Sequence, residues 1–121
     1  MRYTAGAQTV SAGTAVPLTT SVINSTGAIT ASGTTGLTLA AGQYLLAFVA
    51  DSAAVTGNTG AVLGVNGAPL SYTSCLVTGG EQRLALQAVL NLTATGTVTV
   101  LNNAGNPVTY GNAVLTVVKL A

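Results

Sequence analysis

Nine residues, Gly42 to Ala50 (GQYLLAFVA), constrain this chain more than any other stretch. In an extended strand successive side chains point to opposite faces. Tyr44, Leu46, Phe48 and Ala50 therefore lie on one side, and Leu45, Ala47 and Val49 on the other. Both sets are apolar. A strand with one face in water alternates apolar with polar residues, so this one predicts cover on both faces. The rest of the domain supplies one cover, and another copy of the chain is expected to supply the second.

The rest of the chain follows the same logic with almost no charge. Only Arg2, Arg83, Lys119, Asp51 and Glu81 are ionised, a fraction of 4% and a net charge of +1, against roughly 25% in ordinary soluble domains. That leaves no electrostatic footprint for nucleic acid or an anionic membrane surface. The 121 residues make a single domain, 1–121, with residues 1–6 as an extended N-terminal arm. The longest apolar run, Leu39 to Ala50, is broken by Gly42, Gln43 and Tyr44, short of the roughly 20 residues of a spanning helix. Four Tyr and one Phe are too few for the aromatic girdles of a membrane barrel. The opening MRYTAGAQTV lacks the apolar core of a secretory signal.

Short apolar segments separated by Gly, Asn, Ser and Thr clusters give the rhythm of an all-β sandwich or barrel. Extended segments are expected at Thr4–Val10 and Thr14–Ile23, with Pro17 holding the second to an edge or bend. A turn at Asn24–Gly27 follows, then Ala28–Ala31 and Gly36–Ala40 around the Gly33–Gly36 connection. The central strand runs to Asp51. Ser52–Thr59 reads as a mobile loop, and Gly60–Val65 as a strand. Asn66-Gly67 is a type I′ hairpin signal, since both residues tolerate positive φ, with Ala68–Leu76 as the return strand and Gly79-Gly80 as the next break.

Glu81–Leu92 (EQRLALQAVLNL) is the ambiguous segment. Its residues are good helix formers, but Leu84, Leu86, Ala88, Leu90 and Leu92 alternate with Arg83, Gln87 and Asn91. Period two and the surrounding strands favour a strand. A turn at Thr93–Gly96, a strand at Thr97–Asn102, a loop at Asn103–Gly111 and a closing strand at Asn112–Leu120 complete the chain.

Catalysis is excluded by inventory. Without His, and with five scattered charges, no triad, carboxylate pair or metal cluster can be drawn, and no cofactor is expected. Cys75 has no base to activate it and reads as a small apolar strand residue. Lys119 reads as a solvated residue of the last strand. Glu81 and Arg83 share a strand face and are expected to form a surface or intersubunit ion pair. Tyr3, Tyr72 and Tyr110 are placed at terminal or turn-adjacent positions, where interface packing is favoured over sugar stacking. Asn24-Ser25-Thr26 and Asn91-Leu92-Thr93 match the glycosylation triplet, as chance allows in a chain this rich in Asn and Thr.

The order and spacing of Gly42-x-Tyr44, Val65-Asn66-Gly67, the Leu-rich strand, Ala94-Thr95-Gly96-Thr97-Val98 and Ala113–Leu120 resemble the jelly roll of complement globular heads and tumour necrosis factor ligands. They are most similar to the bacterial branch capping collagen-like exosporium glycoproteins, the BclA type. The likeness covers roughly residues 5 to 121, though the chain has no Gly-X-Y stalk, few of the aromatic residues of the eukaryotic heads and no acidic cluster for calcium. It implies a ten-stranded, two-sheet antiparallel jelly-roll sandwich assembled as a homotrimer. Gly42 would make the tight turn, Asn66-Gly67 the hairpin, and Val114–Leu120 the terminal strand beside the N-terminus. Tyr44, Leu46, Phe48, Leu84, Leu86, Leu115 and Val117 are the residues expected in the core or trimer interface. The function expected is a non-enzymatic structural or adhesive module on the surface of a bacterial spore, cell or virus particle. Its partner is itself; the alternatives are a glycan- or receptor-binding head and a capsid decoration protein.

Overall fold

A computed structural model describes residues 1–23, 27–54, 57–78 and 81–121, without the side chain of Glu81. Asn24–Thr26 of the expected Asn24–Gly27 turn and the break at Gly79-Gly80 lie outside the described residues. The described chain is all-β, with two antiparallel sheets face to face.

The first sheet is built around the apolar stretch Gly42 to Ala50. Gly42–Ala53 (β6) is flanked on one side by Glu81–Leu92 (β10) and on the other by Val108–Lys119 (β12). Arg2–Thr4 (β1), Thr20–Ser21 (β3) and Gln8–Val10 (β2) complete it. β6 and β10 pair without interruption from Glu81 opposite Ala53 to Leu92 opposite Gly42. Glu81–Leu92 is therefore strand, as its period-two pattern required; ladder pairing with β6 overrides its helix-forming residues.

The second sheet has the order Ile29–Ser32 (β4), Gly36–Leu39 (β5), Gly96–Leu101 (β11), Asn58–Val65 (β7) and Ala68–Pro69 (β8), with Cys75–Thr78 (β9) also on β7. Asn66 and Gly67 take φ of 52° and 82° and turn β7 back into β8.

Four expected boundaries are corrected. The connection after β6 is shorter than Ser52–Thr59, because β6 keeps its partners through Ala53 and β7 begins at Asn58. Ala68–Leu76 is not one strand: a 3-10 turn at Ser71–Thr73 separates β8 from β9, and buried Thr73 donates its hydroxyl to Leu70 O and accepts from Leu63 N. Asn103–Gly111 is not all loop, since β12 starts at Val108 and crosses a bulge between Gly111 and Val114. Thr14–Ile23 forms strand only at Thr20–Ser21. Upstream, Val16 N donates to Val100 O and Leu18 N to Thr34 O, so this segment is bonded to the second sheet's strands and turns.

The core lies between the sheets. Tyr44, Leu46, Phe48 and Ala50 of β6, Leu84 of β10 and Leu115 of β12 are fully buried from one side; Leu37, Leu39, Leu63, Val98 and Val100 close it from the other. Two polar ties span the halves. The Tyr110 hydroxyl donates to Gly60 O. Arg2, 5% exposed, donates from Nη1 to the carbonyls of Ser32 (2.9 Å) and Gly36 (2.6 Å) and from Nη2 to Gly33 O. No carboxylate faces this guanidinium among its hydrogen-bond partners; it is held by the carbonyl dipoles of the β4–β5 turn.

Both chain ends lie at one end of the first sheet. Gln43 N donates to Ala121 O, and Leu120 N to Gln43 O. Gly42, at φ +151°, is needed here, because a Cβ would come within 2.8 Å of Ala121 O. The N-terminal amine donates to Val22 O.

Candidate functional site

The outer faces of the two sheets differ in chemistry. On the first, the register lays two apolar rows, Val89, Leu45 and Val118 and then Ala85, Val49, Val114 and Tyr3, on either side of a mixed row of Gln87, Ala47 and Thr116. Val89 is 62% exposed and Val118 47%, while Leu45, Ala47, Val49 and Val114 are partly open. On the second, the corresponding rows read Thr30, Thr38 and Thr97, then Thr99 opposite Gly64, ending in Leu101 opposite a buried Val62. Threonine satisfies both a strand and water. Valine and leucine satisfy only the strand.

The rows of the first sheet end in a groove of about 550 Å3, at the end of β6 away from the C-terminus. It is lined by the small residues Ala7, Ala53 and Gly111 and by the polar residues Asp51, Ser52, Gln82, Arg83 and Thr109. Arg83 stands opposite Asp51 in the β10–β6 ladder and donates from Nη1 to its Oδ1 at 2.7 Å. Asn112 donates from Nδ2 to the other oxygen, Oδ2, at 3.2 Å. Asn112 reaches it because the bulge in β12 holds its backbone at φ 48°, a left-handed conformation uncommon for a residue other than glycine. Hydrogen bonds from Arg83, then from Asn112, hold the Asp51 carboxyl below its ordinary 3.8.

Beside the groove, the Asn-rich connection before β12 is ordered by its own side chains. Asn102, buried, donates to Val10 O and Asn106 O and accepts from Ala104 N, and Asn106 bonds the backbone of Asn58 in both directions.

Of the residues singled out by sequence, Tyr44, Leu46, Phe48, Leu84, Leu86, Leu115 and Val117 are all buried between the two sheets of a single chain. Their neighbours on the opposite face of the same strands form the open apolar rows. Arg83 pairs with Asp51, which cross-strand register brings directly opposite; the expected Glu81–Arg83 pair falls on the Glu81 side chain, which lies outside the described residues. Tyr110 is not turn-adjacent but buried inside β12, and burial raises its phenol pKa far above the usual value. Tyr3 is half-buried in the apolar rows, whereas Tyr72 is 69% exposed on the 3-10 turn. The Lys119 ammonium lies 5.6 Å from the Tyr44 ring centroid. Cys75 is half-buried and free.

Sequence reasoning did not find Arg2 as a core tie or Asn112 as a partner of Asp51. An N-terminal Arg carries no local signal of burial. The Gly111-Asn112 step is a signal of irregular strand geometry that went unused.

No protein-family model matches the chain, and no curated protein sequence does. Sequence-family comparison therefore gives no support to the complement-head, tumour necrosis factor-like or BclA-type resemblance. Among solved structures, a GH26-CBM35 β-(1,4)-mannanase of Podospora anserina is 18% identical, with 96% of this chain and 28% of that one covered at a TM-score of 0.40. An acetyl xylan esterase from the rumen bacterium Butyrivibrio proteoclasticus is 13% identical, with 97% and 34% covered at a TM-score of 0.36. The chain thus spans 28% and 34% of the lengths of these two proteins. Likeness at this level assigns neither activity nor ligand.

Proposed function

We propose that this chain is a non-enzymatic structural or adhesive module that assembles as a homotrimer and is displayed on a bacterial spore, cell or virus particle. The observation that carries this reading is the outer face of the first sheet, where the uncharged rows Val89–Leu45–Val118 and Ala85–Val49–Val114 flank a row of Gln87, Ala47 and Thr116. Contiguous exposed apolar surface of this kind marks an interaction site, and obligate interfaces resemble a core cut in half. Closed cyclic symmetry covers such a face without polymerisation.

Two further features support self-association. β10 is a twelve-residue strand with one ladder partner among the described residues, and a long edge beside an apolar face invites pairing unless it is covered. The sheet orders β10-β6-β12-β1 and β4-β5-β11-β7, with chain crossings between the sheets, support the jelly-roll reading of the sandwich.

Light scattering on the purified chain tests the proposal. Three times the 11.8 kDa subunit mass is expected. A monomer stable at working concentration would remove the assembly and with it the structural role. The second reading, a recognition head, is favoured by the groove at Asp51 and Arg83.

A further inference from the structure

We infer that the groove lined by Asp51 and Arg83, with Asn112 bonded to Asp51 beside it, binds a neutral saccharide, through a hydroxyl-bearing edge that takes hydrogen bonds from and gives them to these three side chains. The inference deepens the recognition-head reading and is independent of the oligomeric state.

The groove is built at a cost that stability does not explain. A left-handed Asn and an interrupted ladder are both unfavourable to the fold. What they achieve is to aim one amide at a carboxylate that already has a guanidinium partner. The ion pair is open to solvent, with the Arg83 and Asp51 side chains 59% and 54% exposed, and such pairs add little stability. Strain of this kind, held by surrounding structure at a surface groove, is characteristic of binding sites.

The chemistry of the lining selects the ligand class. Among the described side chains that line the groove, Arg83 and Asp51 are the charged ones and neutralise one another, which favours a neutral ligand over an anion or a cation. The groove still offers both signs of hydrogen bond. Each Asp51 oxygen has taken one donor and keeps a lone pair, Arg83 keeps the N–H groups not used on Asp51, and Asn112 keeps its amide oxygen. A sugar hydroxyl is donor and acceptor at once, and two adjacent hydroxyls match a carboxylate flanked by donors. Ala7, Ala53 and Gly111 contribute nothing larger than a methyl group to the lining, and Ser52 and Gln82 add further polar side chains to it. A volume of about 550 Å3 lies within the usual range of small-ligand pockets. No aromatic side chain lines the groove, so recognition is by hydrogen bonds and affinity for one ring is modest. If three copies assemble, three grooves are carried together, and avidity raises the affinity for a multivalent surface.

The test titrates the 15N-labelled full chain with the methyl glycosides of glucose, galactose, mannose and N-acetylglucosamine, and with methyl glucuronide as the charged comparison. At least one neutral glycoside is expected to shift the amides of Asp51, Arg83, Gly111 and Asn112 saturably. Asp51→Asn removes the charge and keeps the shape; Asn112→Gly keeps the left-handed backbone and removes the amide. Each is expected to weaken binding roughly tenfold or more, the worth of one charge-assisted hydrogen bond, with melting temperature and solution mass unchanged. Silence of those amides with all four neutral sugars overturns the inference. So does binding that survives both substitutions, or a preference for the glucuronide. A monomeric mass in the same samples removes the structural proposal but not this one.

Discussion

The two outward faces of the sandwich use the same backbone geometry with opposite surface chemistry. On the second sheet, Thr30, Thr38 and Thr97 form a row that is complete in water, with the Thr38 and Thr97 hydroxyls 3.5 Å apart. On the first, Val89, Leu45 and Val118 form the equivalent row with no polar atom to offer. Both rows favour a strand, because β-branched residues fit a pleated surface. Only one of them is finished as a surface. The difference teaches that strand propensity and surface design are separate demands, and that a departure from the second is informative about partners.

The sharpest way to break this comparison is to charge both faces. Leu45→Glu with Val89→Glu is expected to abolish the assembly, since each charge would be desolvated without a partner at a cost of several kcal/mol. Thr38→Glu on the other face is expected to leave the solution mass unchanged. Equal masses for the two variants, whether both assembled or both dispersed, would erase the proposed difference between the faces.

Next in size is the inner face of the same strands. Phe48→Ala should destabilise the fold by about 3–5 kcal/mol in denaturant titration, through lost burial and a residual cavity. Val89→Ala on the outer face should cost under about 0.5 kcal/mol in the dissociated subunit. A comparable loss at Val89 would mean that the outer face is already covered within one chain.

The tie between the sheets comes third. Arg2→Leu should cost about 2 kcal/mol, because it strips donors from the carbonyls of Ser32, Gly33 and Gly36. An unchanged denaturation midpoint would show that these carbonyls find water instead.

The smallest effect concerns Tyr110, whose hydroxyl donates to Gly60 O. Tyr110→Phe should cost about 1 kcal/mol at neutral pH. Burial raises the phenol pKa above its ordinary 10.0 in the folded chain. The unfolded chain therefore ionises first as pH rises, so this contribution is complete below pH 10.0 and declines above it. Alkaline melts of the wild type and Tyr110→Phe should converge. Parallel curves would exclude Tyr110 as the group responsible.

Legibility in the sequence followed the range of the interactions. The β6 alternation, the Leu-rich β10 and the Asn66-Gly67 turn were readable because period and turn chemistry are local. β12 was cut short at its start because Gly111-Asn112 looks like a loop, whereas ladder bonds on both sides of the bulge carry the strand through it. Arg83 was assigned to Glu81 because they are neighbours along one strand; its partner Asp51 is 32 residues away and adjacent only through register. Nothing local distinguishes Arg2 from an exposed terminal residue.

An all-β chain with two-sided apolar strands, almost no charge and no histidine could be read from the residues alone, because side-chain period and composition are properties of neighbouring residues. Only the tertiary structure decided which face of β6 is sealed by the second sheet and which is left open. It alone drew Arg2 into the interior and set Asp51 and Arg83 in one groove, with Asn112 bonded to Asp51 beside it. Those outcomes depend on register between strands distant in the chain, and a shift of one residue would exchange the two faces.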